Sequence, residues 1–176
     1  MEPKDENESP IFSEQQRFRQ PLPWLIIGIA ICFSFISVGQ VFFAAFSKEA
    51  SELPSGYETK VATMVGVVVL NLLVLLLFLS ANLSVEVRRS GLFIKFFPFH
   101  KKWRLISLDG AVSSEHVTYS PIIDYGGWGI RYGFKKKAYN ISGKKGVRIN
   151  FQNAHHILIG SRNGDQLQNA IDSIRG

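Results

Sequence analysis

Residues 61–89, which read VATMVGVVVLNLLVLLLFLSANLSVEVRR, decide the fold. The first part is an almost continuous apolar run, in whose centre Asn71 is the only strongly polar residue. The pattern then changes, because apolar residues occupy every second position at Leu83, Val85 and Val87. A long apolar run predicts a membrane-spanning helix, whereas strict alternation predicts a strand with one buried face. The chain therefore passes from a span into a β domain within a few residues.

Another apolar run precedes this stretch. Residues 24–46 contain no charged side chain, and a helix of that length reaches about 35 Å, enough to cross a hydrocarbon core of about 30 Å. We predict spans at about 24–46 and 61–83, which form a two-helix transmembrane hairpin over residues 21–83. Pro54, Ser55 and Gly56 predict a turn in the link, so the hairpin is expected to be tight and antiparallel.

The charge distribution predicts the orientation of the hairpin. Residues 84–176 carry 15 Lys and Arg against 6 Asp and Glu, a net charge of +9. Lys and Arg near span ends favour the cytoplasmic side, and they are concentrated outside the hairpin rather than in its link. Both termini are therefore predicted to be cytoplasmic. The flanking basic residues are Arg17, Arg19, Arg88, Arg89, Lys95, Lys101, Lys102 and Arg104.

The flanking segments differ from each other. Residues 1–20 are acidic at their start and are predicted to form a flexible tail. Residues 84–176 predict a cytoplasmic β domain of seven or eight antiparallel strands, with a loop at 120–127. An apolar stripe at Leu167, Ala170, Ile171 and Ile174 predicts one C-terminal helix. The predicted strands lie at 83–88, 92–97, 102–108, 111–118, 128–134, 138–141, 146–151 and 156–160.

The β domain resembles a known family. Its strands followed by one helix resemble a pleckstrin-homology (PH) domain. The runs YGGWGIRYG (125–133), AYNISGKKGVRI (138–149) and ILIGS (157–161) are similar to bacterial PH-like domains anchored by a two-helix hairpin. The resemblance covers about residues 20–176. It implies a membrane-tethered module of the bacterial cytoplasmic (inner) membrane and brings no catalytic residues.

A few polar or small residues interrupt the spans. Gln40 and Asn71 are candidates for hydrogen bonds to each other or to another helix, and Gly28 and Cys32 form a small-residue face suited to helix packing. Trp24 lies where an interfacial aromatic anchor is expected.

The sequence contains no motif that predicts catalysis, metal binding or a cofactor. The glycines at 127, 129 and 133 lack the spacing and the following helix of a dinucleotide-binding loop. His155 and His156 are adjacent and face opposite sides of a strand, which disfavours chelation by the pair. We therefore predict that the protein is not an enzyme and binds no cofactor.

Basic residues form two clusters in the β domain. The 135–137 cluster is Lys135, Lys136 and Lys137, and the 144–148 cluster is Lys144, Lys145 and Arg148. If the intervening strands form a meander, both clusters share one rim and offer an anion or lipid surface. In the family, eukaryotic members bind phosphoinositides through the first loop between strands, which here is only residues 88–91.

Two functions remain as hypotheses. The leading one is a non-enzymatic, membrane-tethered interaction module, an accessory subunit of a larger membrane complex that contacts other membrane-protein subunits or itself. The alternative is an anionic-lipid or anion-sensing domain acting through the shared basic rim. Nucleic-acid binding is disfavoured, because Trp128, Tyr132 and Phe134 alternate on the predicted core side instead of offering stacking surfaces.

Overall fold

A computed structural model describes residues 9–47 and 56–175, with the backbone alone for 44–47. The acidic residues 2–8 and most of the predicted link, including Pro54 and Ser55, lie outside the described residues. The chain divides into two compact units. One is the helical pair at 20–79, and the other combines the described residues up to Arg19 with those from Ser80 onward.

The helical unit contains α1 (Pro21–Ser47) and α2 (Tyr57–Ser80). Both helices are long and apolar enough to cross a membrane, with mean hydropathies of 2.3 and 2.8 and almost no side chain buried. The prediction of two long apolar helices is confirmed. α2 ends at Ser80 rather than at residue 83, because the next strand already begins at Asn82.

The two helices run antiparallel but touch at few side chains. The rings of Trp24 and Phe78 lie 6.4 Å apart, and Asn71 Nδ2 donates to Ser34 Oγ at 2.7 Å. Between the helices lies an apolar groove of about 690 Å³. The antiparallel course of the helices agrees with the predicted hairpin, whose turn at residues 54 and 55 lies outside the described residues.

The β unit contains nine strands, a short helix and a C-terminal helix within the described residues. The helices are α3 (Pro121–Tyr125), within the predicted 120–127 loop, and α4 (Gly164–Arg175). The strands are β1 (Phe12–Arg17), β2 (Asn82–Arg88), β3 (Gly91–Phe97), β4 (Arg104–Ile106), β5 (Ala111–Thr118), β6 (Gly129–Gly133), β7 (Lys136–Asn140), β8 (Lys145–Phe151) and β9 (His156–Gly160).

These strands form two sheets, ordered β1-β2-β3-β4 and β5-β8-β9-β7-β6. All neighbouring strands are antiparallel except β7 and β9, which are parallel. The prediction of an entirely antiparallel domain is therefore wrong at this pair. The exception arises because the chain leaves β7, skips one strand position to form β8, and then returns as β9 into the gap.

The core lies between the sheets and under α4. Alternating residues of β2 and β3 face it, as the sequence pattern predicts, and Leu167, Ala170 and Ile171 of α4 are buried against it. Burial of these apolar side chains is the main source of stability. The fully buried members with the largest side chains include Tyr139, Leu83, Leu92, Ile94, Ile141, Ile149, Leu158 and Ile159.

Residues 12–17 do not belong to a flexible tail. They form β1, which pairs with β2 from Phe12 opposite Val87 to Arg17 opposite Asn82. The predicted 1–20 tail therefore does not extend through these positions, and its first eight residues lie outside the described part. Pattern analysis missed the strand because two of its core-facing residues, Glu14 and Gln16, are polar.

Polar partners compensate for these two residues. Gln16 is fully buried, donates through Nε2 to the Gly160 carbonyl at 2.8 Å and accepts from Ser142 Oγ at 3.2 Å. The Glu14 carboxylate accepts from Ser161 Oγ at 2.5 Å and from the Arg162 amide at 2.9 Å. β1 therefore joins the first sheet to the end of β9 and the start of α4.

Candidate functional site

The lysines of the two basic clusters lie at opposite ends of the second sheet. At one end Lys136 is opposite His156, which in turn pairs with Asn150. At the other end the Lys145 carbonyl accepts from the Ser161 amide at 3.1 Å, beyond the end of β9. The prediction of one shared rim is therefore wrong for Lys144 and Lys145, because β7 and β8 run in opposite directions on either side of β9. Arg148 pairs with Leu158, which pairs in turn with Ala138, so Arg148 is level with the residue after Lys137.

Members of the 144–148 cluster differ in their surroundings. Lys144, in the turn before β8, and Lys145, the first residue of β8, are both exposed. Arg148 lies in the middle of β8, where its Nε is 3.8 Å from Glu115 Oε1. Within the 144–148 cluster, Arg148 therefore lies near a carboxylate, whereas Lys144 and Lys145 form no ion pair among the described residues.

Aromatic rings hold the ammonium groups of the 135–137 cluster. Lys137 Nζ lies 4.8 Å from the ring centroids of both Tyr132 and Tyr139. Lys135 Nζ is 5.8 Å from the Phe134 ring. A ring face attracts a cation without neutralising it, so these positions remain attractive to an anion.

Lys136 is held by backbone as well as by a ring. Its Nζ donates to the Asp124 carbonyl at 2.5 Å and lies 5.4 Å from the Tyr125 ring. Among the described residues, none of the three lysines forms an ion pair with a carboxylate. The cluster therefore keeps its three positive charges.

An open cleft of about 530 Å³ adjoins this cluster. It lies between the end of β4, the β6–β7 hairpin and the β8–β9 turn. Hydrogen-bonding groups and apolar side chains alternate in its wall, and one carboxylate, that of Asp109, accepts from Ser107 Oγ at 2.7 Å. The lining includes Leu105, Ile106, Ser107, Asp109, Tyr132, Lys135, Lys136, Lys137, Phe151, Asn153, His155, His156 and Ile157.

Two aromatic residues predicted to face the core are instead exposed. Tyr132 is 69% and Phe134 is 91% exposed, whereas Ile130 of the same strand packs against the core. β6 is the edge strand of its sheet. Its residues are half-buried at Gly129 and Ile130 and exposed from Arg131 onward, so the predicted alternation of buried and exposed side chains does not continue to its end. Tyr132 and Phe134 therefore offer exposed rings, and the predicted burial that disfavoured nucleic-acid binding does not hold at these two positions.

The cleft opens at the end of the β domain opposite to the hairpin connection. Near that connection Phe18 packs against Trp128, with ring centroids 6.4 Å apart, and Gln16 binds Gly160. From Trp128, β6 runs away over residues 129–133, about 13 Å at 3.3 Å per residue. The 135–137 cluster therefore lies at the end of the β domain far from the hairpin connection, whereas Lys144 and Lys145 lie near that connection.

Two histidines near the 135–137 cluster have shifted pKa values. Burial lowers the pKa of His100, and the nearby charges of Arg104 and Lys137 lower it further. Burial likewise lowers the pKa of His156, with smaller effects of Arg148, Lys136 and His155 in the same direction. Burial, with a smaller contribution from nearby positive charges, therefore favours the neutral form of both imidazoles.

His116 belongs to a separate polar seam between β5 and α4. Its Nδ1 lies 2.8 Å from Asp165 Oδ1, while Ser114 Oγ donates to Asp172 Oδ1 at 2.7 Å rather than to the histidine. Gln168 bonds the backbone of both β5 residues. These contacts attach α4 to the sheet and do not form the relay of a hydrolase.

The candidate intramembrane residues are divided between two environments. Asn71 bonds Ser34 of the facing helix and not Gln40. Gln40, Gly28 and Cys32 are all exposed, and a Cβ added at Gly28 would meet no atom within 4 Å. These three residues therefore lie outside the contact between α1 and α2.

These features define a class of protein, a two-sheet β domain with an apolar helical hairpin inserted between two adjacent strands. Comparison with protein-family models finds no match to the sequence, and comparison with curated proteins finds no significant relative. Within the described residues, no group of three or more His, Cys, Asp or Glu side chains is arranged to hold a metal ion.

Proposed function

We propose that the protein is a non-enzymatic, membrane-tethered interaction module. In this proposal α1 and α2 cross the bacterial cytoplasmic membrane, and the β domain is a PH-like domain on the cytoplasmic side, as are both termini. The module serves as an accessory subunit of a larger membrane protein complex.

The observation that carries the proposal is the insertion of the hairpin between β1 and β2. Residues 18–20 join β1 to α1, and Ala81 alone joins α2 to β2. β1 and β2 pair along six positions, from Phe12 opposite Val87 to Arg17 opposite Asn82. The start of α1 and the end of α2 are therefore both connected to the same end of this strand pair. Such a double, short connection suits a domain that must be held at a membrane surface.

The exposed side chains of α1 support contact with other subunits or with a second copy. Gln40 is polar and has no hydrogen-bond partner in the described residues, and Gly28 and Cys32 allow a neighbouring helix to approach closely. Small and polar residues are the groups through which helices associate in membranes.

The test is the native size of the full-length protein after extraction in a mild detergent. We expect a defined assembly that contains other membrane proteins or further copies, identified by mass spectrometry. Gln40→Leu should weaken it, whereas Ser37→Ala is the matched control, because the Ser37 hydroxyl bonds only its own helix at the Phe33 carbonyl. A protein that migrates alone as a monomer would refute the proposal.

The second candidate function is binding of anionic lipid. It is favoured by the position of Lys144 and Lys145, which lie at the end of the β domain near the hairpin connection. Each basic residue near an anionic leaflet adds about 1 kcal/mol of attraction. Headgroup-selective binding in nanodiscs that persists at a few hundred millimolar salt would support it, whereas binding that follows total charge alone would reduce it to nonspecific attraction.

A further inference from the structure

The distal end of the β domain carries a surface that its own fold does not use. This surface, called here the lysine–aromatic surface, comprises Tyr132, Phe134, Lys135, Lys136 and Lys137 with the adjoining cleft. It combines two exposed aromatic side chains with three lysines that lack carboxylate partners among the described residues. Aromatic side chains are enriched where proteins bind one another.

We propose that the lysine–aromatic surface is the docking site for an acidic segment of a partner protein. The inference rests on the proposed interaction module and specifies the chemistry of its partner. The segment supplies carboxylates to the lysines and at least one apolar side chain to the cleft.

Charge determines the acidic character of the partner. The ammonium groups are held by ring faces and, for Lys136, by the Asp124 carbonyl. None of these contacts cancels the charge, so a carboxylate approaching the cluster meets three uncompensated cations. His155 and His156 add hydrogen-bonding groups at the same place in the cleft.

The exposed aromatics require a partner larger than a small anion. A small ligand fills the cleft, which Tyr132 lines but Phe134 does not. It would leave Phe134, 91% exposed at the hairpin tip, in water. A polypeptide covers the tip and the cleft together, and its apolar side chains meet Leu105, Phe151 and Ile157 in the wall.

Position distinguishes a protein partner from a lipid surface. The lysine–aromatic surface lies at the opposite end of the sheet from Gly160 and Trp128, which contact the residues leading into α1. Lipid attraction therefore falls to Lys144 and Lys145, near the hairpin connection.

Nucleic acid fits the same surface less well. A nucleic-acid backbone is bound along a groove lined by cations, and Lys144 and Lys145, at the far end of the sheet, do not extend the 135–137 cluster into such a groove. Asp109 also places a carboxylate in the cleft wall, which repels phosphates and carboxylates alike. A peptide can present a backbone N–H group at that point, whereas a nucleic acid carries a phosphate at every nucleotide.

Photo-crosslinking in native membranes tests the proposal on the full-length protein. Phe134→p-benzoylphenylalanine places the reactive group at the tip, and mass spectrometry maps the crosslinked segment. We expect an adduct with a protein segment rich in Asp and Glu. K135E/K136E should lower its yield at least about tenfold, since opposed like charges cost several kcal/mol, and K144E/K145E, with the same change in charge, should leave it unchanged.

The milder pair K135Q/K136Q guards against misfolding and should lower the yield in the same direction. An adduct with lipid or nucleic acid, a crosslinked segment that is not acidic, no adduct at all, or equal losses from both charge-reversed pairs would overturn the inference. If the detergent-extracted protein still runs in an assembly while any of these results is obtained, the inference alone fails. If it runs as a lone monomer, the proposed function fails first.

Discussion

Gly146 lies where β8 and β9 approach most closely. A Cβ added there would lie 2.4 Å from the Ile159 carbonyl oxygen, and this backbone atom is fixed by the sheet. We expect Gly146→Ala to lower the free energy of unfolding by about 1–3 kcal/mol, the usual cost of overpacking. The measurement is thermal or denaturant unfolding of the full-length protein in detergent.

Gly133 is the matched control for this substitution. A Cβ there would meet only the flexible Lys136 side chain, at 2.9 Å, which can move away. Gly133→Ala should therefore change stability by no more than about 0.5 kcal/mol. Equal losses for the two alanine variants would contradict the assigned close approach of β8 and β9.

The burial of the Tyr119 hydroxyl affects the stability of the protein at alkaline pH. Burial raises the pKa of its hydroxyl to about 12, against a smaller opposite effect of the nearby Asn140 side chain, whereas an unfolded tyrosine titrates near about 10. The fold thus favours the neutral phenol, and this contribution is present below the unfolded pKa and is lost as pH rises from 10 to 12. We expect Tyr119→Phe to lose stability less steeply across that interval, as followed by unfolding midpoints against pH. A variant with the wild-type slope would contradict this assignment.

The pKa values of His100 and His156 depend on different lysines of the 135–137 cluster. Burial remains the main cause of the lowered pKa of His100, but Lys137 contributes, while Lys136 contributes at His156. We expect Lys137→Gln to raise the pKa of His100 towards its ordinary value and leave His156 little changed. Lys136→Gln should do the reverse. NMR titration of the imidazole resonances measures both, and a common response to either variant would contradict the placement of the lysines.

At the scale of the element, β1 is stabilised by polar contacts rather than by apolar alternation. Replacing Gln16 by alanine leaves the buried Gly160 carbonyl and the Ser142 hydroxyl without this partner. We expect Gln16→Ala to cost about 1–3 kcal/mol, the penalty for unsatisfied buried polar groups. The neighbouring Gln15 is exposed, so Gln15→Ala should have almost no effect in the same unfolding experiment. A stability loss shared by both variants would show that the buried bonds are not what holds β1.

The same polar character explains which elements could be predicted. β2, β3 and α4 were predictable because their periods of two and 3.6 residues place apolar side chains on one face. β1 shows only Phe12 as an apolar core residue, so local patterning carries almost no signal for it. Its partners, Gly160 and Ser161, are more than 140 positions away in the chain.

The candidate site was predictable in composition but not in arrangement. The sequence displays both basic clusters plainly. Their separation depends on the return of β9 between β7 and β8, a non-local pairing that no short run of residues encodes. Similarly, the alternation in β6 is visible in the sequence, whereas the position of β6 at the edge of the sheet, where Tyr132 and Phe134 are exposed, is set by non-local strand pairing.

At the scale of the whole molecule, the pairing of β1 with β2 constrains how the chain can lie in a membrane. The two strands flank the helical unit and pair along six positions, which a bilayer between them would prevent. Residues before α1 and after α2 must therefore be on one side, so the two helices either both cross the membrane or both remain outside it.

Cysteine labelling distinguishes these arrangements. Cys32 is the only cysteine, so Cys32→Ser provides a clean background for Ser13→Cys in β1, Asn153→Cys in the β8–β9 turn and Ser51→Cys in the link. With a membrane-impermeant maleimide on sealed inverted vesicles, we expect positions 13 and 153 to label and position 51 to be protected. Labelling of 13 and 153 from opposite sides would be incompatible with the β1–β2 pairing. Labelling of all three from one side would mean that the helices do not cross, and the β domain would then need another means of staying at the membrane.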